Sequence, residues 1–206
     1  MIILLGTTNR DKLREMKRLL DELPIEFRSL TEFPDVPEAE ETGATYADNA
    51  RLKATHYARH TGLATVAEDS GFEVDVLDCE PGVHSARFLG PDATYPQRFN
   101  EIYRRVRACG ATGSTARFVC TLVLATPEKI EFETRQTVEG ELAPEPRGSH
   151  GFGYDPIFWF PPFGRTLAEV EEIEKSSVSH RGKAVRAVRE FLRSWGDKAD
   201  RADGRA

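Results

Sequence analysis

The chain has 206 residues, 39% of them hydrophobic and 30% charged, and a formal net charge of −6. That length and balance suit one globular domain with an ample apolar core and exclude a disordered chain. The acidic balance argues against a nucleic-acid partner, because surfaces that track phosphate are usually basic, but leaves room for a small anion neutralised by local lysines or a metal. Cys79, Cys109 and Cys120 are odd in number and widely spaced, which fits neither a metal site nor a disulfide framework. They are expected to be reduced thiols in a cytoplasmic protein. No segment is apolar and long enough to span a membrane, and the N-terminal apolar run is too short for a signal peptide.

In chain order, Met1 to Leu5 reads as a buried strand. Leu13, Met16, Leu19, Leu20 and Leu23 then recur at helical spacing over residues 10–23. Between them lies Thr7-Thr8-Asn9-Arg10-Asp11-Lys12. A strand, a short polar loop and a helix start point backbone N–H groups at one spot, where an anion is attracted by the donors and by the helix dipole. Lys12 adds a compact positive charge. The alternative is an ordinary N-cap at Thr8 or Asn9 with Lys12 in solvent.

Residues 24–43 are rich in Pro, Glu and Asp and are expected to be mostly loop, with a short strand at 25–30. A second helix is predicted over 45–60, opened by Thr45 with Asp48 three residues on. Asn49 and Lys53 share one of its faces. Residues 63–67 and 72–77 read as two strands around a Ser70-Gly71 interruption, and 78–93 as loop. A third helix over 94–109 carries Phe99, Ile102, Tyr103 and Val106 on one face. Alternating residues over 115–125 and 130–138, joined by Thr126-Pro127-Glu128-Lys129, make a hairpin. After a Gly- and Pro-rich loop at 139–155, residues 156–160 are expected to rejoin the sheet. Helices are predicted at 166–175 and 181–195, then a short charged tail at 197–206 that is expected to fray. Crossover helices with a long hairpin imply an α/β fold with a mixed β-sheet, a single domain over 1–196.

Four stretches carry chemistry. Glu68-Asp69-Ser70-Gly71 follows an apolar strand, and ligand crevices in open α/β sheets lie beyond strand carboxyl ends. Because strand side chains alternate, Glu68 and Asp69 face opposite ways. A solvated acidic turn is the alternative. Glu38, Glu40 and Glu41 precede the second helix and either form a solvated acidic loop or offer hard oxygen ligands. Mg²⁺ is commonly held by one or two carboxylates together with substrate phosphates. Gly151-Phe152-Gly153-Tyr154-Asp155-Pro156 is either an aromatic base platform or a tight turn. Lys175, His180 and Arg181 form a positive cluster around a helix stop and restart, unless Arg181 and Lys183 are solvated helix-start residues. No histidine is paired with cysteine in a zinc pattern, and no Rossmann or nucleophile-elbow motif occurs.

Taken together, Thr7 to Lys12, Glu40-Glu41-Thr42-Gly43, Asp48-Asn49-Ala50-Arg51-Leu52-Lys53-Ala54 and Glu68 to Gly71 come first. Pro81-Gly82-Val83-His84-Ser85-Ala86-Arg87-Phe88, Gly151 to Pro156 and Ser179-His180-Arg181-Gly182-Lys183-Ala184 come after them in order. The set resembles the inosine/xanthosine triphosphate pyrophosphatase family over residues 1 to about 195. Asp48 stands where that family often has Glu, and Glu68 where Asp is frequent. The resemblance implies an elongated α/β fold with flanking helices and two lobes around a central nucleotide cleft, and usually a homodimer. It implies Mg²⁺-dependent hydrolysis of the purine nucleoside triphosphates ITP, dITP and XTP to monophosphate and pyrophosphate, clearing deaminated purines. It puts Thr7, Thr8, Asn9, Arg10, Asp11, Lys12 and Lys53 on the triphosphate, and makes Asp69 the base and a metal ligand. Ser70 goes on the substrate, and Glu40 or Glu41 becomes the second metal ligand. Phe152, Gly153, Tyr154, Asp155, Lys175, His180 and Arg181 are placed on sugar and base. Two other readings remain: a regulator that holds a nucleotide without cleaving it, and a pyrophosphatase for pyrimidine or modified nucleotides.

Overall fold

The protein was analysed as a computed structural model, which describes the backbone of residues 1–202 and the side chains of residues 1–195. Strand β1 (Ile2–Leu5) is followed by helix α1 (Arg10–Leu20), strand β2 (Glu26–Ser29) and helix α2 (Tyr46–Thr61). Strand β3 (Ala64–Val74), helix α3 (Tyr95–Ala108) and the hairpin β4 (Thr115–Ala125) and β5 (Ile130–Leu142) come next. Short strands β6 (Phe158–Phe160) and β7 (Arg165–Thr166) precede helices α4 (Glu172–Val178) and α5 (His180–Ala202).

One seven-stranded sheet runs in the order β2-β1-β3-β4-β5-β6-β7. Strand β1 pairs in parallel with β2 and with β3, the latter in the register Ile3↔Ala64, Leu4↔Thr65, Leu5↔Val66. Parallel neighbours need crossovers, which α1 and α2 supply. Strand β6 pairs antiparallel with β5 and β7, so the sheet is mixed, as expected. Ile3, Leu4 and Leu5 are fully buried, which is why this strand reads as a continuous apolar run rather than an alternation.

The chain divides into two compact units. The first comprises Met1–Asp69, Cys120–Gln136 and Arg181–Ala202 of the described residues, and the second Ser70–Val119 and Thr137–His180. The core of the first gathers Ile3, Leu5, Met16, Leu20, Val66, Leu122, Val185, Val188 and Leu192. The core of the second is aromatic, with Phe72, Phe118, Tyr154 and Phe158 beside Ile102 and Val106.

Helix α2 carries polar side chains into the interior of the first unit. Thr45 caps it by accepting the Asp48 N–H at 3.1 Å, and Gly62 ends it at φ 71°, a left-handed geometry that suits glycine. Ala50 and Ala54 pack flat against Ala67, Val123 and Ala125. Such small contacts bring the helix close to the sheet and bury its polar neighbours Asn49 and Lys53 as well.

Several predicted elements differ. The two strands expected around Ser70-Gly71 are one strand, β3. Gly71 is absent from the positive-φ residues and continues the strand. Leu77 belongs to a short 3₁₀ turn, Asp75–Leu77, rather than to a strand. The helix expected at 166–175 is a 3₁₀ turn at Leu167–Glu169 followed by α4; a capping box of Thr166 and Glu169 opens that turn, and the extended backbone of Val170 ends it. The hairpin extends to Leu142, and α5 continues past 195 to Ala202. Of the tail expected at 197–206, residues 203–206 lie outside the described residues.

Candidate active site

The first turn of α1 is organised by Asn9. Its Oδ1 accepts the N–H groups of Asp11 at 3.0 Å and Lys12 at 3.1 Å, while Thr7 Oγ1 accepts the N–H of Asn9 at 3.2 Å. Three donors that an anion would use are therefore satisfied within the loop, and Asn9 is an N-cap. Thr8 reaches Glu38 at 3.5 Å and Arg14 pairs with Asp11 at 2.9 Å. Arg10 is exposed. Lys12 turns inward instead of into solvent, its ammonium 3.1 Å from Glu68.

Alternation along β3 sends Glu68 and Asp69 into different surroundings, as the sequence implied. The Glu68 carboxylate is closed off from solvent. It accepts the Arg181 Nε at 3.1 and 3.0 Å and Nη2 at 3.0 Å, and Cys120 Sγ at 3.0 Å. Arg181 Nη1 donates to Glu15 at 2.7 Å. Burial alone would raise the Glu68 pKa; the charges of Arg181 and Lys12 overcome it and hold the carboxyl well below its ordinary range. The same surroundings push the Cys120 thiol up, through burial and the Glu68 charge. Among the described residues all three cysteines are free, and Cys120 is the buried one.

Arg181, expected on the base, is 2% exposed, and its nitrogens donate to Glu68 and Glu15. Glu15 was not singled out at all. The signal was present: it lies three residues after Lys12 and beside Met16, on the helix face that turns inward.

Asp69 lies on the side of α2. Its Oδ1 is 3.3 Å from Lys53 Nζ, and its Oδ2 accepts from Asn49 Nδ2 at 3.2 Å. Lys53 also donates to Glu41 Oε1 at 2.5 Å. Burial works against the Lys53 charge, but Asp69 and Glu41 more than offset it and raise its pKa. Glu40 is exposed, and Glu41 is the member of the pair turned toward Lys53. The acidic loop reaches this point through Gly43, whose N–H donates to Asn49 Oδ1 at 2.8 Å. A Cβ at Gly43 would lie 2.6 Å from Asp48 Cβ and 2.7 Å from Asn49 Oδ1. Ser70 is half-buried at the next position of β3.

Among the described residues, no group of three or more His, Cys, Asp or Glu is arranged around one point as a metal cage. Two carboxylates, Asp69 and Glu41, do converge on one cation, the Lys53 ammonium. Two hard oxygen donors with the remaining positions open suit Mg²⁺, which takes its other ligands from phosphate and water. The residues present fit that ion.

In the second unit, the loop Gly151 to Asp155 is a tight turn with Gly151 at φ 70° and Gly153 at φ 68°. Asp155 pins it, accepting the Phe152 N–H at 2.9 Å and Lys175 Nζ at 2.6 Å. Lys175 Nζ sits 4.9 Å from the centre of the half-buried Phe152 ring. Tyr154 was placed on the base as a stacking ring; its ring instead stacks on Phe72 at 5.1 Å in the core, and its hydroxyl donates to Ser85 O at 2.9 Å. His180 lies flat on Phe118, centroids 4.9 Å apart.

The profile of the Ham1 family matches residues 3–191. A dITP/XTP pyrophosphatase of an Exiguobacterium species is 46% identical over 188 residues, 91% of this chain and 95% of the relative. The dITP/XTP pyrophosphatase of Coxiella burnetii is 42% identical over 192 residues, 92% of this chain and 96% of the relative. The solved structure of a HAM1 protein from Coxiella burnetii superposes with a TM-score of 0.88 at 40% identity, covering 94% of this chain and 99% of that one. A nucleoside-triphosphatase/dITP/XTP pyrophosphatase from Mycobacterium abscessus gives 0.74 at 41%, covering 91% and 98%. The resemblance read from the ordered motifs and the mixed α/β fold are thus both borne out, and this chain belongs to the Ham1 family.

Proposed function

We propose that the protein hydrolyses dITP, XTP and ITP to the monophosphate and pyrophosphate, removing deaminated purines from the nucleotide pool. What supports this reading is the meeting of Asp69 and Glu41 at the Lys53 ammonium, in a chain whose relatives carry the name dITP/XTP pyrophosphatase. A pure nucleotide binder has no use for two carboxylates near a triphosphate, which they repel.

Asp69 and Glu41 would hold Mg²⁺ in this proposal, and the ion would supply charge neutralisation to the triphosphate. Asp69 takes a proton from water as its oxygen bonds to the α-phosphorus in line; the α–β bridging bond breaks and pyrophosphate leaves. Lys53, keeping its bond to Asp69, and Lys12 turn N–H donors toward phosphate oxygens and stabilise the leaving group. Thr7, Thr8, Asn9, Arg10 and Asp11 present the exposed edge of that subsite. Ser70 contacts the substrate. Phe152, Gly153, Asp155, Lys175 and His180 take the nucleoside end, and the Tyr154 hydroxyl and ring back that loop. Donors there suit a purine carrying a 6-carbonyl and leave adenine, with its amino group, unpaired. Arg181 anchors Glu68. A homodimer, a cytoplasmic site of action and the absence of nucleic-acid and membrane partners belong to the same proposal; among the described residues no helix is long and apolar enough to cross a membrane.

The test is pyrophosphate release from a panel of purine and pyrimidine triphosphates with Mg²⁺. Release from dITP, ITP and XTP is expected to exceed that from ATP by about 10⁴-fold in kcat/KM, the scale on which a hydrogen-bonding site rejects an analogue that leaves its donors unpaired. Asp69→Asn should fold and show no turnover. Wild-type-like release by that variant removes Asp69 from the base role, and indifference to the purine removes the substrate assignment.

A further inference from the structure

We propose that Asn49 is a positioning residue for Asp69: it fixes the carboxylate and ties the acidic loop to it. The inference rests on Asp69 being the base. Asn49 lies on the first full turn of α2, is fully buried, and its backbone N–H is already bonded to Thr45 O at 3.1 Å. Its side-chain amide makes two contacts of opposite kind. Oδ1 accepts the Gly43 N–H at 2.8 Å, and Nδ2 donates to Asp69 Oδ2 at 3.2 Å.

The amide orientation is dictated by its partners. A backbone N–H can only donate and an ionised carboxylate can only accept. A flipped amide would set two donors against each other at Gly43 and two acceptors against each other at Asp69. Only an amide serves both partners: a carboxylate at this position would accept from Gly43 but repel Asp69, and an alkyl group would serve neither.

Lys53, one helical turn later, donates to the other oxygen, Asp69 Oδ1, and to Glu41. Helix α2 therefore grips both oxygens of one carboxylate, each with its own donor, which sets the rotation of the carboxyl plane as well as its position. Gly43 approaches so closely that a Cβ would collide with Asp48 and Asn49. The loop bearing Glu41 is thus clamped to the residue that holds Asp69. Asp69 and Glu41 come from different segments, and Asn49 is a shared hydrogen-bonded link between those segments. Misplacing a reacting group by about 1 Å costs on the order of 100-fold in rate, so this link is a rate-determining feature of the site.

The experiment is a double-mutant cycle of Asn49→Asp and Asp69→Asn, with Asn49→Leu alongside. Steady-state kinetics on dITP are measured well below each melting temperature, so that every variant is fully folded. We expect Asn49→Asp and Asn49→Leu to lower kcat by about 100-fold with KM within about 3-fold of wild type, because the phosphate contacts remain. In the cycle, Asn49→Asp lowers the melting temperature through charge repulsion. Adding Asp69→Asn, which swaps donor and acceptor, restores it beyond the sum of the single effects, while turnover stays lost. Additive melting temperatures, or a kcat for Asn49→Asp within about 3-fold of wild type, overturn the proposal. An inactive wild-type enzyme would overturn the pyrophosphatase reading; the melting cycle would still report whether Asn49 and Asp69 are coupled.

Discussion

Replacing Arg181 with alanine should destabilise the protein in a pH-dependent way, because the arginine is the larger part of the positive charge on two buried carboxylates. Its guanidinium makes three bonds to Glu68 and one to Glu15, and Glu68 and Glu15 are 2% and 4% exposed. Removing one member of such a cluster costs about 3–5 kcal/mol, since the opposite charge stays buried. For a chain of this size that is a fall in melting temperature of about 6–20 °C. In the wild type the Glu68 pKa is lowered on folding. That contribution is fully present above the unfolded carboxyl pKa of about 4.3 and is lost as pH falls through the folded value. In Arg181→Ala, burial acts against Lys12 alone and the carboxyl is no longer held so low, so the variant gives up less stability on acidification. The gap between the two proteins is therefore widest near pH 7.5 and narrows once pH falls below the unfolded carboxyl value, as at about pH 3.5. Calorimetry at both pH values reads it. A gap below about 3 °C at pH 7.5, roughly 1 kcal/mol here, or one that does not change with pH, refutes the argument.

Gly43→Ala should lower kcat on dITP by about 10- to 100-fold with a modest loss of stability, because the added methyl displaces the loop from Asn49 and with it Glu41; steady-state kinetics beside a thermal melt separate the two effects. Lys175→Met removes the ammonium from Asp155, itself 2% exposed, and should cost about 3–5 kcal/mol in urea unfolding, with Lys175→Arg recovering part of the loss.

Local patterns carried much of the architecture. The apolar spacing after Asp11, the Thr45 cap and the alternation on either side of Thr126 to Lys129 each depend on neighbours a few residues away, and each produced the expected element. Gly71 did not interrupt its strand, since the pairing of β3 with β4 decides that, and β4 is distant in sequence. The site shows the same division. The four-residue spacing of Asn49 and Lys53 placed both beside Asp69. The fate of Tyr154 depended on Ser85, 69 residues away, and that of Arg181 on Glu15, 166 residues away. An aromatic residue between glycines reads alike whether it meets a ligand or a core, and an arginine at a helix start reads alike whether it is solvated or buried.

Because β3 is unbroken, Glu68 and Asp69 are adjacent steps of one pleat, and the pairing Leu5↔Val66 with β1 decides which of them points to which side. A slip of one residue would exchange them, sending the short carboxylate among Arg181, Lys12 and Cys120 and the longer one toward Lys53. An insertion or deletion between Ala64 and Glu68 would thus rewire both charge networks at once while leaving the composition of the strand almost unchanged. The apolar contacts that lock β3 to β1 serve, in that sense, as the alignment key of Asp69.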